Sequence, residues 1–476
     1  MRQVRFPRFV RSLSVGLLLF SLSASASLTV AQEADEIPRP TPLTRPEMKR
    51  LLEEMKQRTP RIPLPPESAD EGAADPRSRG YEGRLRSSYL SSADIRGYLA
   101  FAGSPASRPG APARFTIEPD PVLSLDYPFK TRLFWIASRA NNCQYCLGHQ
   151  ESKLLAAGMT EDQLACLDQD WSRFPENEQA AFALARRLTL EPHRSCEAEI
   201  DACRKHYTDL QIIEIVMSVA GNNAINRWKE GIGVPQASTG GNFGGDTGEA
   251  HSYLTPTSDE FAEGLSRVVA ETSTPIDGAI RPTSFGRPVL TAERMAEGLK
   301  AAETRTARLP LPSEDEARGM LDESLRDAFA DRPLPAWVRL IAPFPVAGRN
   351  TIAAFLAARD LELDPLLRTR IDLVVAHQDA AWYALGNARN ELLAAGESPE
   401  AIEALIAGTA ELPAGQAELL TVARGLAASP VVLTDREVTA AVEKAGPAAV
   451  VRTVHYTALR AAFDRFTEAA GLPIDR

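Results

Sequence analysis

Cys143 and Cys146, three residues apart, and His149, three residues further on, are the residues of this chain best suited to chemistry. On a helix, positions i and i+3 share a face, so the two sulfurs can exchange a disulfide. The thiolate is the reactive form of cysteine, and a helix N-terminus stabilises it through unpaired N–H groups and the positive dipole end. Asn141-Asn142 interrupts the helical pattern just before Cys143. Asn is a favoured N-cap, which puts the CxxC in the first turn of the next helix. His149 can reach the Cys146 sulfur and act as a base toward its thiol or as an acid toward a leaving group. The catalytic candidates are thus Cys146, Cys143 and His149, acting on a disulfide substrate, with no cofactor and no resident metal required. A Cys/His metal site is the competing use of the same three residues. Structural zinc takes four ligands, so His193, His206 or Cys166 would have to supply the remainder.

The elements that must position these residues read as helices. Ala, Leu, Glu and Arg dominate, with Gly and Pro between segments, and no run alternates with period two. Helices are predicted over about 129–140, 143–157, 161–171, 176–190, 197–206 and 209–231. Thr160 with Gln163 forms a capping-box pattern at the start of the third. Helices joined by short loops predict a small bundle.

The bundle occurs twice in the sequence. Residues 131–158 and 369–396 match at ten of 28 positions without a gap, at an offset of 238. Arg227, Glu230, Gly233 and Pro235 match Arg465, Glu468, Gly471 and Pro473 at the same offset. Upstream, RTPRIPLP (58–65) resembles RTARLPLP (305–312) at an offset of 247. This predicts a tandem duplication. The parts are a signal peptide (1–31), a Pro-rich lead-in (32–45), a first domain with the CxxC (46–235), a Gly/Pro/Thr-rich linker (236–289) and a degenerate second domain (290–476). Cys143, Cys146 and His149 correspond to Ala381, Ala384 and Asn387, whereas Tyr145, Leu147 and Gly148 keep Tyr383, Leu385 and Gly386. The scaffold repeats and the reactive residues do not, which marks them as a chemical site rather than core cysteines.

NNCQYCLGHQESKLLAAG (141–158) resembles the alkylhydroperoxidase AhpD-like members of the carboxymuconolactone decarboxylase family, well over about 128–235 and more weakly over 366–473. The resemblance implies an all-α fold of two AhpD-like bundles in tandem, assembly as a homo-oligomer, and reduction of peroxides or electron transfer to a partner protein. It implies Cys146 as the attacking thiolate, Cys143 as the resolving partner and His149 in the proton relay. The family pattern puts its His where Gln150 stands, which turns the imidazole by about 100° about the helix. It puts a Glu where Thr131 stands, and a hydroxyl is no carboxylate base at neutral pH. Glu151 lies on another helix face and does not replace it. Other readings are the lactone decarboxylase branch of that family and a non-catalytic exported interaction protein.

The whole chain agrees with an exported enzyme. Arg2, Arg5, Arg8 and Arg11, the apolar run Leu13–Leu22 and small residues up to Ala31 read as a secretory signal too short to span a bilayer. The mature protein would then work in an oxidising, periplasmic or extracellular compartment. A net charge of -10 argues against a nucleic-acid partner. Cys166 reads as a small buried hydrophobe. Cys196 and Cys203 can pair only if a helix begins between them. Trp135, Tyr145 and Trp228 read as core aromatics, His206, His377 and His455 as surface or cap residues, and the Arg132/Arg370 and Arg186/Arg424 pairs as structural ion-pair partners.

Overall fold

Residues of high helix propensity fill the segments between the Gly and Pro positions, and ten of the 21 α-helices described begin at a side chain that caps them. In the computed structural model, which describes residues 39, 41–65, 80–90, 101, 119–192, 197–236, 252–270 and 290–475, these segments are all α-helices. No strand and no helix long and apolar enough to cross a membrane occurs among the described residues. Residues 1–31, expected to be a signal peptide, lie outside them.

The first half runs α1 (Arg45–Glu54), α2 (Tyr81–Tyr89), α3 (Tyr127–Ala140), α4 (Gln144–Ala156), α5 (Glu161–Gln169), α6 (Glu176–Leu190), α7 (Glu197–Arg204) and α8 (Asp209–Ile232). Thr160 and Gln163 make the expected capping box on α5. Two short helices follow, α9 (Asp259–Ala262) and α10 (Arg267–Ala270). The second half contains α11 (Ala292–Thr304), α12 (Glu314–Met320), α13 (Glu323–Ala328), α14 (Ala336–Ile341), α15 (Ala347–Arg359), α16 (Pro365–Asp379), α17 (Trp382–Ala394), α18 (Pro399–Ala407), α19 (Gln416–Ala427), α20 (Asp435–Ala445) and α21 (Pro447–Ala470). Helices α4, α5 and α8 recur as α17, α18 and α21 with both ends displaced by 238 residues, and α3, α6 and α7 recur as α16, α19 and α20 with ends within three residues of that offset.

Helices α8 and α21 pack together at the centre and are buried along nearly their whole length. A helix without a polar face has to sit where no side meets water. Helices α3 and α6 pack on α8 as α16 and α19 pack on α21. Two arginines at equivalent positions tie the halves together. Arg227 Nη2 donates to Ala427 O at 3.1 Å and Ser429 Oγ at 2.7 Å, and Arg465 Nη2 donates to Thr189 O at 3.1 Å and Ser429 Oγ at 3.0 Å. Arg465 Nη1 also holds the buried Asp379 at 2.8 Å.

The repeated RTxRxPLP segments clamp the ends of the two central helices. Arg61 N donates to Ile232 O and its Nη1 to Glu230 O, and Arg308 N donates to Ala470 O and its Nη1 to Glu468 O. Arg58 pairs with Glu230 at 3.2 Å and Arg305 with Glu468 at 2.8 Å. Arg132 and Arg370 form ion pairs, with Glu178 and Glu397. Arg186 and Arg424 instead meet the carbonyls of Arg267 and Leu405.

The segment expected to be a linker is packed where it is described. Tyr253, Phe261, Val268 and Val269 are buried, Gln169 donates to Phe261 O and Gly264 O, and Ser266 N donates to Leu43 O. Its turn-rich composition hid a few apolar side chains that cover the first half. The lead-in is shorter than expected, because Arg45 is already the first, buried residue of α1.

Arg465→Ala removes the guanidinium that pairs with the buried Asp379, and breaking a buried pair costs about 3–5 kcal/mol. Urea unfolding of the variant should show a loss of that order, and a loss below about 1 kcal/mol would contradict the ion pair's place in the core.

Candidate dithiol site

The site is made by the reversal between α3 and α4. Helix α3 closes on Asn141, and Asn142 then takes the left-handed conformation at φ 58°. Asn tolerates this region better than most residues. Ala380, the equivalent residue, has φ 47°, so the second half makes the same turn without an Asn. Cys143 N donates to Ser138 O at 2.9 Å, and Cys143 itself is the N-cap of α4. The expected N-cap role for Asn142 is therefore corrected, and Cys146 becomes the third helical residue. The two sulfurs lie 2.7 Å apart, with Cys143 fully buried and Cys146 nearly so.

Burial governs the electrostatics. It pushes the Cys143 thiol well above its ordinary range, and the neighbouring Cys146 adds to the effect. The expected stabilisation of a thiolate by the helix terminus is therefore outweighed at Cys143. Burial, helped by Lys229 and Lys153, lowers His149 to about 3, so its imidazole is neutral at pH 7. His149 stacks on Tyr145 with centroids 4.5 Å apart, and its Nε2 lies 3.5 Å from the Tyr145 hydroxyl.

The positions that depart from the family pattern are occupied by structural groups. Thr131 is buried and donates to Tyr127 O at 2.8 Å within its own helix. Gln150 is buried, with its side-chain amide beside Asn222, Cys146 O and Ser138 Oγ. Burial tends to raise the Glu151 carboxyl, but Arg45 and Lys49, at 2.9 and 2.8 Å, outweigh it and hold the group at about 2. Glu151 also accepts from Trp135 Nε1 at 3.1 Å. It belongs to this ion cluster and not to the dithiol.

Several site residues escaped the sequence reading. Tyr145, expected in the core, is only half-buried, and Lys229 Nζ lies 4.4 Å from its ring centroid. Lys229 pairs in turn with Glu82 from α2. Tyr145 looked like scaffold because Tyr383 repeats it, and Glu82 lies outside the repeated stretch. Asn141 Nδ2 donates to Asn223 Oδ1 at 2.8 Å and Asn226 Oδ1 at 2.9 Å. Gln236 donates to Gln144 O at 2.9 Å and lies against Gly148, where any Cβ would overlap it. This contact is a reason for glycine in the helix at that position.

Among the remaining predicted residues, Cys166 is buried beside Ala165 and Phe261, and Cys203 is fully buried. Cys196 and His193 lie outside the described residues, so the Cys196–Cys203 bridge does too. His206 is exposed. His455, expected at the surface, is buried edge-on against Trp228 at 5.9 Å and lowered to about 3 by burial. It faces α8 from α21, a placement that its local sequence does not encode. Among the described residues no three His, Cys, Asp or Glu side chains converge as metal ligands. No protein-family model and no curated protein sequence matches the chain.

Two pH measurements follow from these environments. A proton NMR titration should show no His149 inflection between about pH 5 and pH 8, and a transition near 6.5 would contradict its burial. The folded Glu151 lies below its ordinary 4.5. Its stabilisation is therefore fully present above about 4.5 and is lost as pH falls toward about 2. Glu151→Gln should be destabilised at neutral pH and should flatten the urea-midpoint profile over that acid window. A wild-type and variant pair with parallel profiles would refute the ion cluster.

Proposed function

We propose that the protein is an exported thiol oxidoreductase that works through Cys146 and Cys143, as a thiol peroxidase or in dithiol–disulfide exchange. The observation that carries this reading is the pair of sulfurs 2.7 Å apart on a left-handed turn. The second half repeats that turn with Ala381 and Ala384 in place of the cysteines. The fold therefore does not need thiols there. The resemblance to AhpD-like proteins supports the same reading and suggests a homo-oligomer with a redox partner protein. The tandem arrangement makes the second half a non-redox copy.

In the exchange reaction the Cys146 thiolate attacks one sulfur of a substrate disulfide and expels the other as a thiolate. Cys143 loses its proton and attacks the Cys146 sulfur, releasing the second substrate thiolate. The dithiol is oxidised to a disulfide and the substrate is reduced by two electrons. With a peroxide, the Cys146 thiolate takes the terminal oxygen and releases an alcohol or water. Cys143 then displaces water from the sulfenic acid. The raised Cys143 thiol suits the resolving step, because it stays protonated until Cys146 has reacted. We assign the proton relay to His149, whose Nε2 lies 3.5 Å from the Tyr145 hydroxyl.

The burial of both sulfurs favours one other reading, a structural dithiol without turnover. Thiol counting and peptide mass analysis of the full chain, before and after oxidised glutathione or peroxide, separate the two. The reading expects loss of two thiols as a Cys143–Cys146 disulfide and no turnover in Cys146→Ser. It expects Cys143→Ser to accumulate a mixed disulfide on Cys146. Wild-type inertness toward hydrogen peroxide, an organic hydroperoxide and a generic disulfide would reject the enzyme.

A further inference from the structure

We propose that Ser429, supplied by the half without the CxxC, is a positioning residue for the Cys143–Cys146 pair, fixing the Asn141–Cys143 turn and so setting how readily the two sulfurs join. The proposal rests on the dithiol reading above. Ser429 Oγ donates to Asn141 Oδ1 at 3.0 Å and accepts from Arg227 Nη2 at 2.7 Å and Arg465 Nη2 at 3.0 Å. A hydroxyl has one donor and two lone pairs, and here all three are used. All four side chains are buried. Val431 N, two residues on, donates to Asn141 O at 3.4 Å. The same short loop therefore holds both the side chain and the backbone of the residue that enters the turn.

The second half shows why this bridge is needed. There the turn residue equivalent to Asn141 is Asp379, which its own half's Arg465 holds directly at 2.8 Å. Asn141 is an amide and cannot attract Arg227 in that way. Arg227 Nη1 instead meets Asn223, and its Nη2 reaches the turn through Ser429. A carboxylate at 141 would add negative charge two residues from Cys143 and would further disfavour its thiolate. The amide avoids that charge, and Ser429 restores the link it loses. The residue equivalent to Ser429 in the first half is Glu191, a carboxylate that pairs with Arg187. The left-handed Asn142 is a conformation that persists only when its surroundings hold it. Without Ser429, Asn141 Oδ1 loses its donor and two buried guanidinium groups lose an acceptor.

The test equilibrates the full-length protein with mixtures of reduced and oxidised glutathione. The protein dithiol gives two electrons and two protons to the glutathione disulfide, which becomes two thiols. Loss of the Ser429 hydroxyl frees the turn more in the dithiol form, where no bond ties the two sulfurs, than in the disulfide form. Ser429→Ala should therefore lower the equilibrium constant for Cys143–Cys146 disulfide formation about tenfold, a potential about 30 mV more positive. Ser429→Thr, which keeps the hydroxyl, should stay close to wild type. A general loss of stability affects both redox forms alike and leaves this constant unchanged. A folded Ser429→Ala protein with the wild-type constant overturns the proposal. If that variant does not fold, Val431→Pro, which removes the N–H given to Asn141 O, should shift the constant in the same direction, and no shift overturns it. A wild-type protein that forms no Cys143–Cys146 disulfide at any glutathione ratio rejects the dithiol reading itself, which is a separate outcome.

Discussion

The buried hydroxyl of Ser429 sits where two guanidinium groups and one amide meet, and the centre of the molecule is arranged around that meeting. Arg227 and Arg465 come from the two central helices, which pack against each other with little access to water. Buried charges are tolerated only when paired or fully hydrogen-bonded. Each arginine therefore dictates what surrounds it. Arg465 takes Asp379 and Thr189 O, and Arg227 takes Asn223 and two carbonyls of the opposite half. The halves are joined by crossed polar contacts set in an apolar interface. Such contacts fix register more sharply than apolar packing, because a displaced partner leaves a charge unsatisfied.

The dithiol turn is built onto this centre. Asn141 connects it to α8 through Asn223 and Asn226, and Asn222 and Asn226 both donate to Ser138 Oγ. Ser138 O receives Cys143 N, which closes the chain of contacts from the central helices to the first cysteine. Low dielectric strengthens such a network when it is satisfied, and it also disfavours a thiolate at Cys143. Rigid placement of the sulfurs and a reluctant second thiol thus have one physical origin. In the proposed reaction the first would shorten the distance for disulfide formation, and the second would delay the resolving step until Cys146 has reacted.

Charged groups around the site are each held by counter-charges. Glu151, Arg45, Lys49 and Glu161 form a cluster on the other side of α4, and Glu230 is held at about 2 by Arg58, Arg39 and Arg61 despite the opposing effect of burial. Lys229 is neutralised by Glu82 and reaches the site through the face of Tyr145. The groups that hold the turn carrying the dithiol are amides and hydroxyls, from Asn141, Asn223, Asn226, Ser138 and Ser429. Polar groups of this kind move protons and hold geometry without strongly biasing the charge of a thiol.

The sequence alone determined the helices and the offset at which similar stretches recur. Caps such as Thr160, breakers such as Gly158 and Gly233, and the constant offset are local signals, so the bounds of α3 to α8 were legible to within about two residues of their observed ends. The sequence also marked Cys143, Cys146 and His149, since the second half lacks all three. It misplaced the N-cap, because whether Asn142 caps a helix or turns left-handed depends on where Cys143 N finds its acceptor, Ser138 O. It gave no sign of Ser429, Glu82 or Gln236, which come from segments distant in the chain. It put His455 at the surface, although packing of α21 on α8 buries it. Whether a residue near the site is solvated or sealed depends on which helix lies over it. Only the tertiary structure decided that, and with it the ionisation of Cys143 and His149.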